Sequence, residues 1–164
     1  MRKTIYILLL FTSLNSLAQE LFEYDFDENL TLNVIDNSEE GEIANGKFVK
    51  GTFENETIVY LKSKKKGLKN VSGKKLEKLF EGIKDGALKA SKGKLISEGI
   101  IKINELDVLN YKYFIKQSEE KKIIENYVFV YKENIYTIQF MNNKDEFNKN
   151  TEFRKRIIES IKLK

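Results

Sequence analysis

The chain has 164 residues, a formal net charge of +4 and a sequence pI of about 9.0, and it contains no Cys, His, Pro or Trp. Without His or Cys, a Ser-His-Asp triad, a Cys nucleophile and a His- or Cys-ligated zinc or copper site are all excluded. The length fits one domain, and with no disulfide available the fold must hold by its core, which is reasonable for a chain that can bury about 68–70% of its unfolded surface.

Residues 1–18 read as a secretory signal peptide. Arg2 and Lys3 form a positive start, Ile5–Phe11 is a short apolar run, and Ser16 and Ala18 are the small residues before a cleavage site. The apolar run is too short to span a bilayer, which needs roughly 20 residues, and no later stretch is apolar enough for a transmembrane segment. The expected domain is therefore 19–164, exported to the periplasm or beyond the cell, with cleavage after Ala18.

The elements follow in order. Phe22–Phe26 and Leu30–Val34 alternate apolar and polar residues, the period-2 signal of half-buried strands. Asp36–Glu42 is polar and reads as a loop. Lys47–Phe53 and Thr57–Lys62 flank Glu54-Asn55 as a hairpin. Residues 63–71 form a basic loop. Ser72 is placed to cap a helix running to Ser91, with Leu76, Leu79, Phe80, Ile83, Ala87 and Ala90 on one face. Gly82 and Gly86 weaken that helix unless they allow close approach to a sheet, and Gly93 ends it.

A meander of four strands comes next: Lys94–Ile103, Val108–Gln117, Lys122–Lys132 and Ile135–Asn142. Asn104–Asp107, Ser118–Lys121 and Glu133-Asn134 are its turns. Leu109, Tyr111, Tyr113 and Ile115 share one face; Tyr136, Ile138 and Phe140 share another. A final helix begins at Asn150 or Thr151, with Phe153, Ile157, Ile158 and Ile161 as its apolar stripe and Arg154, Lys155 and Lys162 turned to solvent. Antiparallel strands with segregated helices define an α+β domain: an antiparallel sheet with a four-strand meander, one long helix before it and a C-terminal helix packed on it.

This order, above all the closing strand Ile135–Met141 and the helix ending Ile157-Ile158-Glu159-Ser160-Ile161, resembles the PsbP-like fold, although the Pro-Trp-Trp-like segment usual in that fold is missing. Its members include exported photosystem accessory proteins, a nuclear-import factor that binds a small GTPase, and small secreted bacterial proteins. The resemblance implies a non-enzymatic binding or accessory module and supplies no catalytic residues.

The residues agree with that expectation. No P-loop and no GxGxxG occurs, and no cofactor is expected. Asp25, Asp27 and Glu28 invite a Ca²⁺ reading, but they lack the glycine and distal glutamate of an EF-hand loop and read better as a solvated strand edge. Charge is segregated: residues 19–57 carry eleven acidic and two basic side chains, and residues 62–94 carry twelve lysines against three acids. Lys62, Lys64, Lys65, Lys66 and Lys69 form the candidate anion-facing loop, for an anionic surface or glycan. Export and a small net charge argue against nucleic acid. The expected partner is a protein. The alternative is carriage of a small apolar ligand between the sheet and the Ser72–Ser91 helix, which requires an internal cavity of at least roughly 300 Å³.

Overall fold

The computed structural model describes residues 21–117 and 120–164. The expected signal peptide and the middle of the Ser118–Lys121 turn lie outside these residues. Among the described residues, ten strands and two α-helices follow in chain order: β1 Leu21–Asp25, β2 Leu30–Ile35, β3 Glu39–Ile43, β4 Gly46–Phe53, β5 Glu56–Lys64, α1 Lys74–Ser91, β6 Lys94–Ile103, β7 Leu106–Gln117, β8 Glu120–Tyr131, β9 Asn134–Asn143, a 3₁₀ turn Phe147–Asn150, α2 Thr151–Glu159 and β10 Lys162–Leu163.

The meander is present, with strand ends within two residues of those read from the sequence, and it forms one side of a seven-stranded antiparallel sheet. The strand order is β3-β4-β5-β9-β8-β7-β6. The early hairpin joins the end of the meander where β5 runs against β9, from Thr57 opposite Met141 to Lys64 opposite Asn134. The first and last turns of the meander are tight. Asn104 and Glu105, and again Lys132 and Glu133, both take positive φ, which is the backbone of a type I′ turn and matches the strand twist.

Three readings change. The Asp36–Glu42 segment is not simply a loop, because Glu39–Ile43 pairs with β4 as the outer strand on that side. Its alternation is hidden by three glutamates, which suit an exposed edge. The first two strands do not join the large sheet. They pair with each other and, through Lys162 and Leu163, with the extreme C-terminus, making a separate three-stranded sheet β1-β2-β10. Helix α1 starts one residue late: Gly73 rather than Ser72 is its N-cap, with φ of +52°.

The two faces of the large sheet carry two cores. On one face Phe26, Leu30, Leu32, Val34 and Ile35 from the small sheet, with Phe153, Ile157 and Ile158 from α2, pack against Ile58, Tyr60, Phe129, Tyr136, Ile138 and Phe140. On the other face α1 lays Phe80 against Leu109, Tyr111, Tyr113, Ile124 and Val128, flanked by Leu76, Leu79, Ile83 and Ala87. Ala90 is exposed, and a side chain added at Gly82 or Gly86 would meet nothing within 4 Å. These two glycines therefore face away from the sheet and do not bring the helix closer to it.

The close approach is at Gly93 instead. Lys92 turns left-handed at φ +52° and its N–H donates to the Lys89 carbonyl; the Gly93 N–H donates to the Leu88 carbonyl at 2.9 Å. This is a Schellman end. A side chain on Gly93 would stand 2.5 Å from Cδ2 of Tyr113. Gly93→Ala is expected to lower stability by about 1–3 kcal/mol through overpacking, whereas Gly99→Ala, where nothing lies within 4 Å, should leave the melting temperature unchanged. Equal melting curves for the two variants would show that the Tyr113 ring moves aside freely.

Candidate functional site

Three places hold the charged or exposed residues on which a function could rest. The first is the acidic stretch after β1. Asp25 and Glu28 are exposed, as expected of a strand edge, but Asp27 is not. Lys62 Nζ lies 2.7 Å from Asp27 Oδ2 and 3.3 Å from Glu28 Oε1. The Tyr136 hydroxyl and the Asn29 N–H also donate to Asp27, at 2.9 and 2.8 Å. Burial alone would push the Asp27 carboxyl up, but Lys62, Asn29 and Tyr136 together hold it below the usual carboxylate range. The acidic cluster is thus neutralised by the chain's own cation, and Lys164 pairs with Asp25 at 2.6 Å.

The same pair splits the basic loop. Lys62 belongs to β5, opposite Lys47 and Tyr136, and strand geometry aims it at Asp27, away from the loop. Lys64, Lys65, Lys66 and Lys69 are exposed. Of these, Lys69 borders an open hollow with Asn70, Tyr131, Lys132 and Glu133. The five lysines therefore do not form one anion-facing set.

The second place is under α2. Arg154, expected in solvent, is 4% exposed. Its Nη1 lies 3.0 and 3.2 Å from the carboxylate oxygens of Glu56, a residue with no exposed surface, and donates to the Phe147 carbonyl. Its Nε is 3.5 Å from Glu125 Oε2, its Nη2 donates to Thr151 Oγ1, and the guanidinium sits 3.9 Å from the centre of the Phe147 ring. Burial pushes the Glu56 carboxyl above its ordinary value, against the opposing pull of Arg154. The arrangement pins α2 to β5 and β8. Glu56 is sealed from solvent, so it cannot meet a substrate as a catalytic carboxylate would have to.

The third place is β6. It is the last strand of the large sheet, and nine of its ten residues are exposed. Ile96 and Ile100 are each 50% exposed, and Leu95 and Ile101 each 40%. Only Ile103, at the turn end, packs against a core, and Lys84 of α1 reaches across to Glu98; the rest of the strand lies beyond both cores. An open groove runs along each side. The α1 side holds a groove of about 510 Å³ floored by Phe80, Leu109 and Ile100 and rimmed by Lys78, Lys84 and Glu98. The α2 side holds one of similar size between Ile101, Ile103, Tyr127 and Ile158, with Lys112 and Lys155 beside it. The opposite edge of the sheet, β3, is guarded by Glu39, Glu40 and Glu42, the usual protection of an edge. The β6 edge is guarded differently, by Lys94, Glu98 and Lys102, of mixed sign, and by a register shift between Leu95 and Ser97, with exposed Leu95, Ile96, Ile100 and Ile101 among them.

Solved structures place this architecture. Cyanobacterial PsbP (CyanoP) from Synechocystis sp. PCC 6803 aligns with a TM-score of 0.65 at 10% identity, over 92% of this chain and 96% of that one. The fold is PsbP-like. The Saccharomyces cerevisiae Ran-binding protein Mog1p aligns at a TM-score of 0.57 and 8% identity, over 89% of this chain and 96% of that one. LpqN of Mycobacterium tuberculosis, described as involved in cell envelope biogenesis, aligns at 0.54 and 10% identity, over 88% and 90%. No protein-family model matches the sequence, and no curated protein is significantly similar to it. Identities this low speak to the PsbP-like fold alone.

The strand at Lys94–Ile103 is legible in the sequence, but its exposure is not. Leu95-Ile96 and Ile100-Ile101 are adjacent apolar pairs, but so are Val108-Leu109 in β7 and Ile135-Tyr136 in β9, which are buried on both faces, so the pattern does not mark β6 as open.

Proposed function

We propose that this protein is an exported, non-enzymatic binding module that holds a protein partner along the β6 edge of its sheet. The observation that carries this is the ten-residue edge strand with its exposed Leu95, Ile96, Ile100 and Ile101 between two open grooves. An extended segment added to such an edge gains main-chain hydrogen bonds, and grooves on both faces select its alternate side chains. Support comes from residues 1–18, which read as an export signal, and from fold neighbours described as Ran-binding and as involved in cell envelope biogenesis. The carrier reading is less well supported, because the space beside α1 is an open groove with a charged rim rather than an enclosed apolar cavity.

The test compares retention of envelope and secreted proteins on the immobilised wild type, on an Ile100→Glu/Ile101→Glu variant and on a Lys64→Ser/Lys65→Ser/Lys66→Ser variant. Both isoleucines are exposed, so the first variant should melt as the wild type does and yet lose the retained partner. The lysine variant should keep it. Loss on the lysine variant with retention on the isoleucine variant would move the site to the basic loop.

A further inference from the structure

The β6 edge has a sequence that complements itself. In an antiparallel pairing of two copies, facing residues must have their backbone groups pointing the same way, which restricts the two-fold axis to pass through a residue and not between two. The ladder must also avoid the irregularity between Leu95 and Ser97, where the β6–β7 register shifts. With the axis at Glu98, that residue would face its own copy and Lys94 would face Lys102, so like charges oppose. With the axis at Ile100, Glu98 faces Lys102 of the second copy, Lys102 faces Glu98, and Ile100 packs on Ile100.

The other face of the same register also closes. Ile101 comes opposite Gly99, where an added side chain would meet nothing within 4 Å, so the second copy's isoleucine has room. Ile103 comes opposite Ser97. The pairing covers Ile100 and Ile101, two of the most exposed apolar side chains in the described residues. Each Glu98 already holds Lys84 of its own chain and each Lys102 holds Asp107 at 2.7 Å. The new pairs extend these into alternating charge clusters on the α1 side. The β3 edge cannot do the same, since Glu39, Glu40 and Glu42 of two copies would repel.

We infer that the partner at the β6 edge is a second copy of this chain, paired antiparallel about Ile100 to make one continuous sheet across a two-fold dimer. This rests on the reading of β6 as the binding edge. A seven-residue ladder from Ser97 to Ile103 is a smaller contact than the roughly 1,200–2,000 Å² of a standard interface, so the dimer dissociates on dilution.

Sedimentation equilibrium of the purified protein, over roughly 1–200 µM, reads the dimer directly. The wild type is expected to show a monomer–dimer equilibrium. Glu98→Lys alone and Lys102→Glu alone each put like charges at both symmetry-related contacts and should weaken dimerisation roughly tenfold or more. The Glu98→Lys/Lys102→Glu double variant, made together with Lys84→Ala and Asp107→Ala to remove the within-chain partners of both positions, restores opposite charges and should return dimerisation to within about threefold of the Lys84→Ala/Asp107→Ala protein. Gly99→Val, which fills the space left for Ile101, should abolish the dimer with the melting temperature of the monomer unchanged. A wild type that stays monomeric, single charge variants that dimerise like the wild type, or a double variant that is not rescued each overturn the inference. If the wild type is monomeric while Ile100→Glu/Ile101→Glu still loses a captured protein, the edge binds a different chain and only the self-pairing falls.

Discussion

Arg154→Met is expected to destabilise the protein by about 3–5 kcal/mol, the usual effect of removing one partner from a buried ion pair. The reason is what is left behind. Glu56 has no exposed surface and loses the guanidinium 3.0 Å from its Oε2, and the Phe147 carbonyl loses its donor. The loss should depend on pH with a definite sign. Burial already raises the Glu56 carboxyl above its ordinary value in the folded state, and Arg154 is the chief group opposing the rise. Without Arg154 the folded state favours the protonated acid more strongly. A carboxyl raised on folding contributes most below its unfolded value, and that contribution is lost as pH rises through the folded one. The gap between variant and wild type should therefore narrow as pH falls from 7 toward the carboxylate range, about 4–5. Adding Glu56→Gln to Arg154→Met should recover part of the loss at neutral pH. Urea denaturation across pH reads all three proteins. A gap that is small at pH 7, or that widens in acid, would mean the pair does not hold α2 in place.

Phe80→Ala is expected to cost about 3–5 kcal/mol, which for a domain of this size lowers the melting temperature by roughly 10 °C or more. Phe80 is the one residue of α1 that is fully buried among those described, at 2% exposure. It is also the anchor of the core on that face, with Leu109, Tyr111, Tyr113, Ile124 and Val128 around it. The helix otherwise touches the sheet through half-buried Leu76, Leu79, Ile83 and Ala87, whose truncation should cost less. Thermal unfolding followed by circular dichroism is the measurement. An unchanged midpoint would mean that α1 is held by its ends and not by this side chain.

The two predictions concern residues that the sequence treated very differently. Phe80 was legible: it lies at helical spacing with Leu76, Leu79 and Ile83, and the structure turns that stripe to the sheet. Arg154 reads, by its charge, as a solvent-facing residue. Its spacing said otherwise, since it lies three and four residues before Ile157 and Ile158 and so falls on their stripe. Glu56 gave the same hint, in phase with the buried Ile58 and Tyr60. Either residue alone looks wrong on a buried face. The pair is tolerable only because the tertiary fold brings together two positions 98 residues apart. A similar lesson applies to Lys62, which its neighbours in sequence assign to a basic loop and which the fold gives to Asp27.

What the amino-acid sequence determined by itself was local. Two-residue alternation set the meander, its faces and the hairpin before it. Three-to-four-residue spacing set both helices, and polar turns set the boundaries to within a few residues. These patterns depend on each segment's own backbone geometry, so they need no knowledge of the rest. The tertiary structure decided which strands meet and what covers them: β5 against β9, the separate sheet closed by the last residues of the chain, the burial of Arg154, and the bare β6 edge. Alternation states which side chains share a face, but whether that face is covered depends on contacts with segments far away in the chain. That is why the meander strands look alike in sequence, while one of them, with its apolar residues on both faces, is left open at the end of the sheet.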